Sequence, residues 1–322
     1  MPANPTDLSF YGVAKEATVG TYVAPADYLP LNKFDPQDMT TWLIDSAARG
    51  SMVDTYNKVA GPVWSEISCG GPVFPDTIGY PVMGILGDIT TTGASAPFTH
   101  AGAVKNSSTG QPTSHSLFDY DAVDSRGYTG IQWYDLTFTW DGEKYLNWDG
   151  TARGFQSATQ SKPSASYTSV AMLPGWLSAV TINSIASTTL IDAEIKIARQ
   201  GGPIHTADGT QAPYQIFLGG MGVSGKFVVV ADTNTQLTNY LAGTKVPLDF
   251  NFQQGAGAAA VQVKFHMSNV NYDLAKPVRN KQWVEYEITY EAVANATDAG
   301  ASGGQSPIKV TLQNAKPAAT YI

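Results

Sequence analysis

The chain of 322 residues is short of charge: Asp, Glu, Lys and Arg make up 14% of it, against about a quarter in an average soluble domain. That shortage suggests a surface covered by neighbouring subunits as much as by water. The charge that is present leans acidic, with 19 Lys plus Arg against 27 Asp plus Glu, and no basic cluster occurs anywhere. Tight binding to a nucleic-acid backbone draws on clustered Lys and Arg that release counterions, so that class is set aside. Cys69 stands alone, which excludes an intrachain disulfide and a cysteine metal site. His100, His115, His205 and His266 are scattered singly, with no i, i+4 pair of the zinc-helix kind. No metal and no cofactor is expected. No run approaches the eighteen or so apolar residues of a membrane span, and the opening MPANPTDLSFYG lacks a basic and then apolar leader. The expectation is a protein made in a cytoplasm and not inserted in a membrane.

What the chain has in abundance is alternation. In IQWYDLTFTWD (131–141), Tyr134, Leu136, Phe138 and Trp140 point one way and Asp135, Thr137, Thr139 and Asp141 the other. In VEYEITYEA (284–292), Val284, Tyr286, Ile288 and Tyr290 oppose Glu285, Glu287, Thr289 and Glu291. Both read as strands with one buried face and one acidic, wetted face. Further strands are predicted near 63–69, 97–104, 114–121, 145–155, 189–197, 226–231, 247–253, 259–272 and 307–313. The fold class is mainly β, antiparallel. Trp133, Trp140 and Trp148 lie among other apolar strand residues and read as core, which leaves little for a sugar-binding platform.

Two segments read as helices, 76–88 and 232–244, each opening on Asp-Thr. Asp76 and Asp232 are predicted N-caps, Gly87 and Gly243 C-terminal stops, and Pro81 a kink. The twin helices, each followed by long alternating strands, predict an internal duplication, and LIDSAARGSM (43–52) and LIDAEIKIAR (190–199) share Leu-Ile-Asp upstream. The expected division is a first domain over 1–156, a linker over 157–172, a second domain over 173–295 and a C-terminal arm over 296–322. In that arm a flexible Gly/Ala/Ser tract, 298–304, delivers a strand at Ile308, Lys309, Val310, Thr311 and Leu312, which is expected to cross a subunit or domain boundary.

Two motifs fail on context. Gly220, Gly222 and Gly225 match G-x-G-x-x-G, but Phe227-Val228-Val229-Val230 behind them reads as a strand where a phosphate cradle needs a helix. These glycines are expected to shape a turn. Gly300-Ala301-Ser302-Gly303-Gly304 matches a nucleophile elbow, but no helix follows and no histidine lies downstream. His266 is expected at the surface, and Glu285 and Glu287 read as neighbours on a strand face. No catalytic site emerges, and the chain is not expected to be an enzyme.

Several long strings carry a resemblance. SEISCGGPVFPDTIGYPVMGILGD (65–88), TTTGASAPFTHAGAVKNSSTGQPTSHSLFDY (90–120), PIHTADGTQAPYQIF (203–217) and DAGASGGQSPIKVTLQNA (298–315) closely resemble the tail tube (major tail) proteins of long-tailed actinobacteriophages. The resemblance implies an antiparallel β-sandwich with a short flanking helix, and a structural virion protein that is assembled in the host cytoplasm and stacks as rings into the tail tube. Its implied partners are copies of itself, a tape-measure protein, tail-tip and terminator proteins, and transiting DNA bound without sequence specificity. If the chain is duplicated, three copies would make a ring; otherwise six. A tail-tip or terminator ring protein of the same fold is the alternative, and a carbohydrate-binding sandwich a more distant one. With DNA passing through, Asp135, Asp141, Glu285, Glu287 and Glu291 are the expected lumen-facing carboxylates.

Overall fold

The computed structural model describes residues 4–279 and 281–322. The chain begins with β1 (Phe10–Lys15), β2 (Asp27–Leu29) and a long hairpin of β3 (Lys33–Asp45) and β4 (Asn57–Pro72). Helix α1 (Gly79–Leu86) follows, then the hairpin of β5 (Gly87–Thr92) and β6 (Phe98–Val104). Next come β7 (His115–Tyr120), β8 (Ser125–Asp141), β9 (Asn147–Gly154) and the two-residue β10 (Ala158–Thr159). The second half runs through β11 (Ser178–Ile182), β12 (Ile185–Ser187), β13 (Leu190–Ile204), β14 (Gln215–Val230), α2 (Thr235–Ala242) and β15 (Val246–Gln254). It closes with β16 (Val261–Val278), β17 (Glu285–Ala292) and β18 (Lys309–Asn314).

Two long strands, β8 and β16, change partners half-way and so build two layers. The later part of β8 pairs with β9 and β13, and the later part of β16 with β17, giving an antiparallel sheet in the order β3-β4-β9-β8-β13-β14-β17-β16. The earlier part of β16 pairs with β15 and β18 in the second layer. Alternation places apolar side chains between the layers. Phe138 meets Phe265 at 4.8 Å between ring centroids, and Trp140 meets Phe250 and Phe252 at 4.9 and 5.2 Å. Trp133, Trp140 and Trp148 are all buried. One continuous core runs from Val13 in β1 to Tyr321 near the C-terminus, and burying each such large side chain is worth about 1.5–3 kcal/mol.

The strand pairings recur along the chain. β1–β2, β1–β7, β3–β4, β4–β9, β7–β8, β8–β9 and β8–β10 have counterparts, in the same chain order, in β11–β12, β11–β15, β13–β14, β14–β17, β15–β16, β16–β17 and β16–β18. Their irregularities recur as well. The bulge between Trp133 and Asp135 matches that between Tyr272 and Leu274, and the one between Thr40 and Trp42 matches that between Arg199 and Gly201. Among the described residues the β5–β6 hairpin has no counterpart. The two Leu-Ile-Asp tripeptides do not coincide: Leu43 lies far out on β3, whereas Leu190 stands at the root of β13. Register instead makes Lys33 the counterpart of Asp192, because they oppose Gly70 and Val228, which in turn oppose Asp149 and Glu287.

Several local expectations change. Both helices do end on left-handed glycines, Gly87 at φ 85° and Gly243 at φ 61°, where a missing Cβ removes the steric penalty. They begin later than Asp76 and Asp232, however, with Ile78 and Asn234 at the N-cap and no side-chain cap bond. Pro81 falls in the first turn of α1, where its nitrogen has no intrahelical acceptor to lose, so the cause of a kink is absent. Gly220, Gly222 and Gly225 lie inside β14, not in a turn. A Cβ at Gly225 would strike the Glu194 carbonyl and the Tyr290 ring, so close approach, not turn geometry, demands glycine there. The 298–304 tract is pinned and not a free tether: the Asn106 amide donates to the carbonyls of Gly303 and Gln305, and the Ser302 N–H donates to Asp88.

Candidate assembly surfaces

The eight-stranded sheet turns one face to the core and one away from it. Rows of register carry side chains across it: Asp141 opposes Asp192, Asp192 opposes Val228, and Val228 opposes Glu287. Another row runs Thr137, Lys196, Ser224, Glu291. Because side chains in one row share a face, Asp135, Asp141, Glu285, Glu287 and Glu291 all belong to the same polar face, although the first two lie three strands from the others. Asp35, Glu66, Asp149, Asp192 and Glu194 join them, interleaved with Lys33, Arg153, Lys196, Lys226 and Lys276. Carboxylates outnumber bases. The β13 members were legible in LIDAEIKIAR, where Asp192, Glu194 and Lys196 alternate with Ala193, Ile195 and Ile197.

Ion pairs tie the face together: Lys196 to Asp135 at 3.0 Å, Arg153 to Glu66 at 2.8 Å, Lys226 to Glu194 at 3.6 Å and Lys144 to Asp141 at 2.7 Å. The hydrogen bond from Lys144 holds the Asp141 carboxyl below its usual range. Its neighbour Asp192 is pushed the other way by burial and by the charges of Asp141 and Glu285. Glu285 is 5% exposed, taking hydrogen bonds from Lys281 and Trp283, so it contributes less open charge than Glu287 or Glu291. His266 is half-buried on the second layer, bonded to Asp249 at 2.7 Å and to Ser268 at 3.0 Å. Among the described residues no group of three or more His, Cys, Asp or Glu is placed to hold a metal ion, and no helix is long and apolar enough to cross a membrane.

The ends of the sheet are open. Among the described residues β3 pairs with β4 alone, and the later part of β16 with β17 alone. Between them lies a completed junction of the same kind, where β8 pairs with β13 over seven residues from Asp135–Ala198 to Asp141–Asp192. Comparison with known families matches residues 6–312 to the phage tail tube protein family. The chain belongs to that family. Comparison with curated proteins gave no match. Membership makes the chain a structural component of a phage tail.

The C-terminal strand of this tail tube protein sits inside its own sheet. β18 has β16 on one side and β6 on the other, so Ile308 to Leu312 link the second half of the chain to the first, and Ile308, Val310 and Leu312 are fully buried. Beyond it, Tyr321 packs against Tyr80 and His100 at 5.2 and 5.1 Å and bonds to the Asp76 carbonyl at 2.8 Å. His115 contacts the Tyr321 carbonyl through Nε2 at 2.9 Å, and Lys316 pairs with Asp27.

Proposed function

We propose that the chain consists of two tube modules fused in tandem, that three copies close head to tail into a ring, and that stacked rings form the channel through which phage DNA leaves the capsid. The observation that carries this reading is the β8–β13 junction. It joins the two recurrent halves edge to edge, and the same two edges, β3 and the later part of β16, are left free at the ends. Applied between copies, the same register would bring Asp35 opposite Val278 and Asp38 opposite Ala275. Free strand edges invite pairing, and a closed ring removes them. At a spacing of about 4.8 Å and a tilt of about 40°, three eight-stranded sheets close into a barrel roughly 50 Å across at the backbone.

The polar face of that sheet then lines the channel. A basic wall would hold phosphates with the strong, salt-sensitive affinity of counterion release. A wall of net negative charge repels DNA instead, over a screening length of about 8 Å at physiological salt. The test uses purified tubes, fluorescent duplex DNA and the double variant Glu287→Lys with Glu291→Lys. Wild-type rings and tubes should be visible by electron microscopy and retain no DNA, while the variant tubes retain it at low salt and release it at high salt. Intact variant tubes that bind no more DNA than wild type would remove the polar face from the channel.

A further inference from the structure

Helices α1 and α2 follow equivalent hairpins and end on equivalent glycines, yet every residue of α1 is buried and none of α2 is. The outer part of the β13–β14 hairpin reaches α1 and the loop before β7. Arg199 donates to the Ile85 carbonyl of α1 at 3.1 Å, Gln111 of the loop and Leu218 exchange hydrogen bonds at 2.8 and 2.9 Å, and register places Ile216 and Leu218, both buried, opposite Pro203 and Gly201. Counting back from the glycine caps, the counterpart of Ile85 is Leu241, which is 74% exposed. The outer part of the β3–β4 hairpin is uncovered too, with Trp42 and Ile44 exposed by 52% and 56%. The shared bulge fixes which of its faces is which. Trp42 opposes Ala60 as Gly201 opposes Leu218, and Ile44 opposes Lys58 as Pro203 opposes Ile216. Trp42 and Ile44 therefore project from the face by which the other hairpin is docked.

We propose that the β3–β4 hairpin of one copy docks on α2 of a second copy, with Trp42 and Ile44 covering Leu241. The occupant is a second copy because the recurrent counterpart of this hairpin, β13–β14, already reaches α1 inside the chain through the bond from Arg199 to the Ile85 carbonyl. The proposal rests on the head-to-tail closure above and names the surfaces that carry it. It also accounts for α2: among the described residues nothing equivalent to the β5–β6 hairpin or to Tyr321 covers it, and its partner lies in another molecule.

Two variants each keep one of the two surfaces: Trp42→Glu with Ile44→Glu, and Leu241→Glu. All three positions are exposed, and thermal unfolding checks that both variants fold. Alone, each should lose rings by at least about tenfold, measured by light scattering on a sizing column. Mixed, they should give one-to-one dimers through the remaining native pair, and no rings. In a second measurement, a photo-crosslinking residue at position 42 of the otherwise native chain should link to residues 235–245 of another copy. Wild-type ring yield from either variant, or links from position 42 to a surface other than α2, would overturn the docking and leave the ring reading standing. A native chain that forms neither rings nor tubes would remove the ring reading, and the docking with it.

Discussion

Phe138 in β8 and Phe265 in β16 lie 4.8 Å apart between ring centroids, and both are fully buried. One ring comes from the first half of the chain and the other from the second, so the halves share a core and are expected to unfold together. Phe138→Ala should cost about 3–5 kcal/mol through lost burial and an unfilled cavity. Denaturant unfolding followed by both fluorescence and circular dichroism checks this. The two probes should give one coincident transition in wild type and variant alike, at lower denaturant in the variant; two separated transitions in the wild type would show halves that fold independently.

The C-terminal segment is expected to be needed for folding and not only for assembly. Removing residues 306–322 takes β18 from between β16 and β6 and exposes the Tyr80 and His115 surfaces. No cooperative thermal transition should remain. Tyr321→Phe is milder, because it keeps the ring and deletes only the hydroxyl bonds to the Asp76 carbonyl and the Asn314 amide; a loss of about 1–3 kcal/mol is expected.

Acid should weaken the same region. Burial pushes the His115 pKa down to about 4, from an ordinary value of 6.5, because the cation is poorly solvated there. The unfolded chain takes up this proton near pH 6.5 and the folded chain only near pH 4. Stability present above pH 6.5 is thus lost as pH falls through that window, by roughly 3 kcal/mol at its lower end. His266 works in the opposite sense, since its bond to Asp249 raises its pKa and its contribution is lost as pH rises. Comparing His115→Gln with wild type isolates the first effect: the variant should show a flatter fall in stability between pH 6.5 and 4.

Inside the chain the β13–β14 hairpin is tied to α1 by Arg199, which is 8% exposed and donates to the carbonyls of Gly219, Ile85 and Gly110. Arg199→Met keeps much of the stem and leaves those carbonyls without this donor, at an expected cost of about 2–4 kcal/mol. Thermal unfolding of the variant measures it. A loss under about 0.5 kcal/mol would mean that water serves these carbonyls equally well.

Alternation in 131–141 and 284–292 was enough to place β8 and β17 and to say which side chains face the core from Leu136 and Tyr286 onward, because the period of two is a local property. It failed at the strand starts, where the bulge after Trp133 leaves Tyr134 only partly buried and where Val284 is exposed while Glu285 is buried. It could not show that Asp141 and Glu287 share a face, since that depends on how β13 and β14 align between them. The β3–β4 hairpin was mostly illegible. KFDPQDMTTWLID alternates poorly, with Pro36 inside it and exposed residues on both faces, because much of the hairpin stands clear of the core. The helix ends were legible at Gly87 and Gly243, where left-handed backbone selects glycine, and not at the starts, where no side chain caps the first turn. The place of β18 was out of reach, because its partner β6 lies some two hundred residues earlier and pairing over that distance leaves no local trace.

Whether two fused modules close as three chains per ring can be read from an electron cryomicroscopy reconstruction of assembled tubes made without imposed symmetry. Three chains are expected in each ring, with the β3 edge of one beside the later part of β16 of the next and Glu287 and Glu291 facing the channel. Six chains in each ring, or free β3 edges on the outer surface, would contradict that closure.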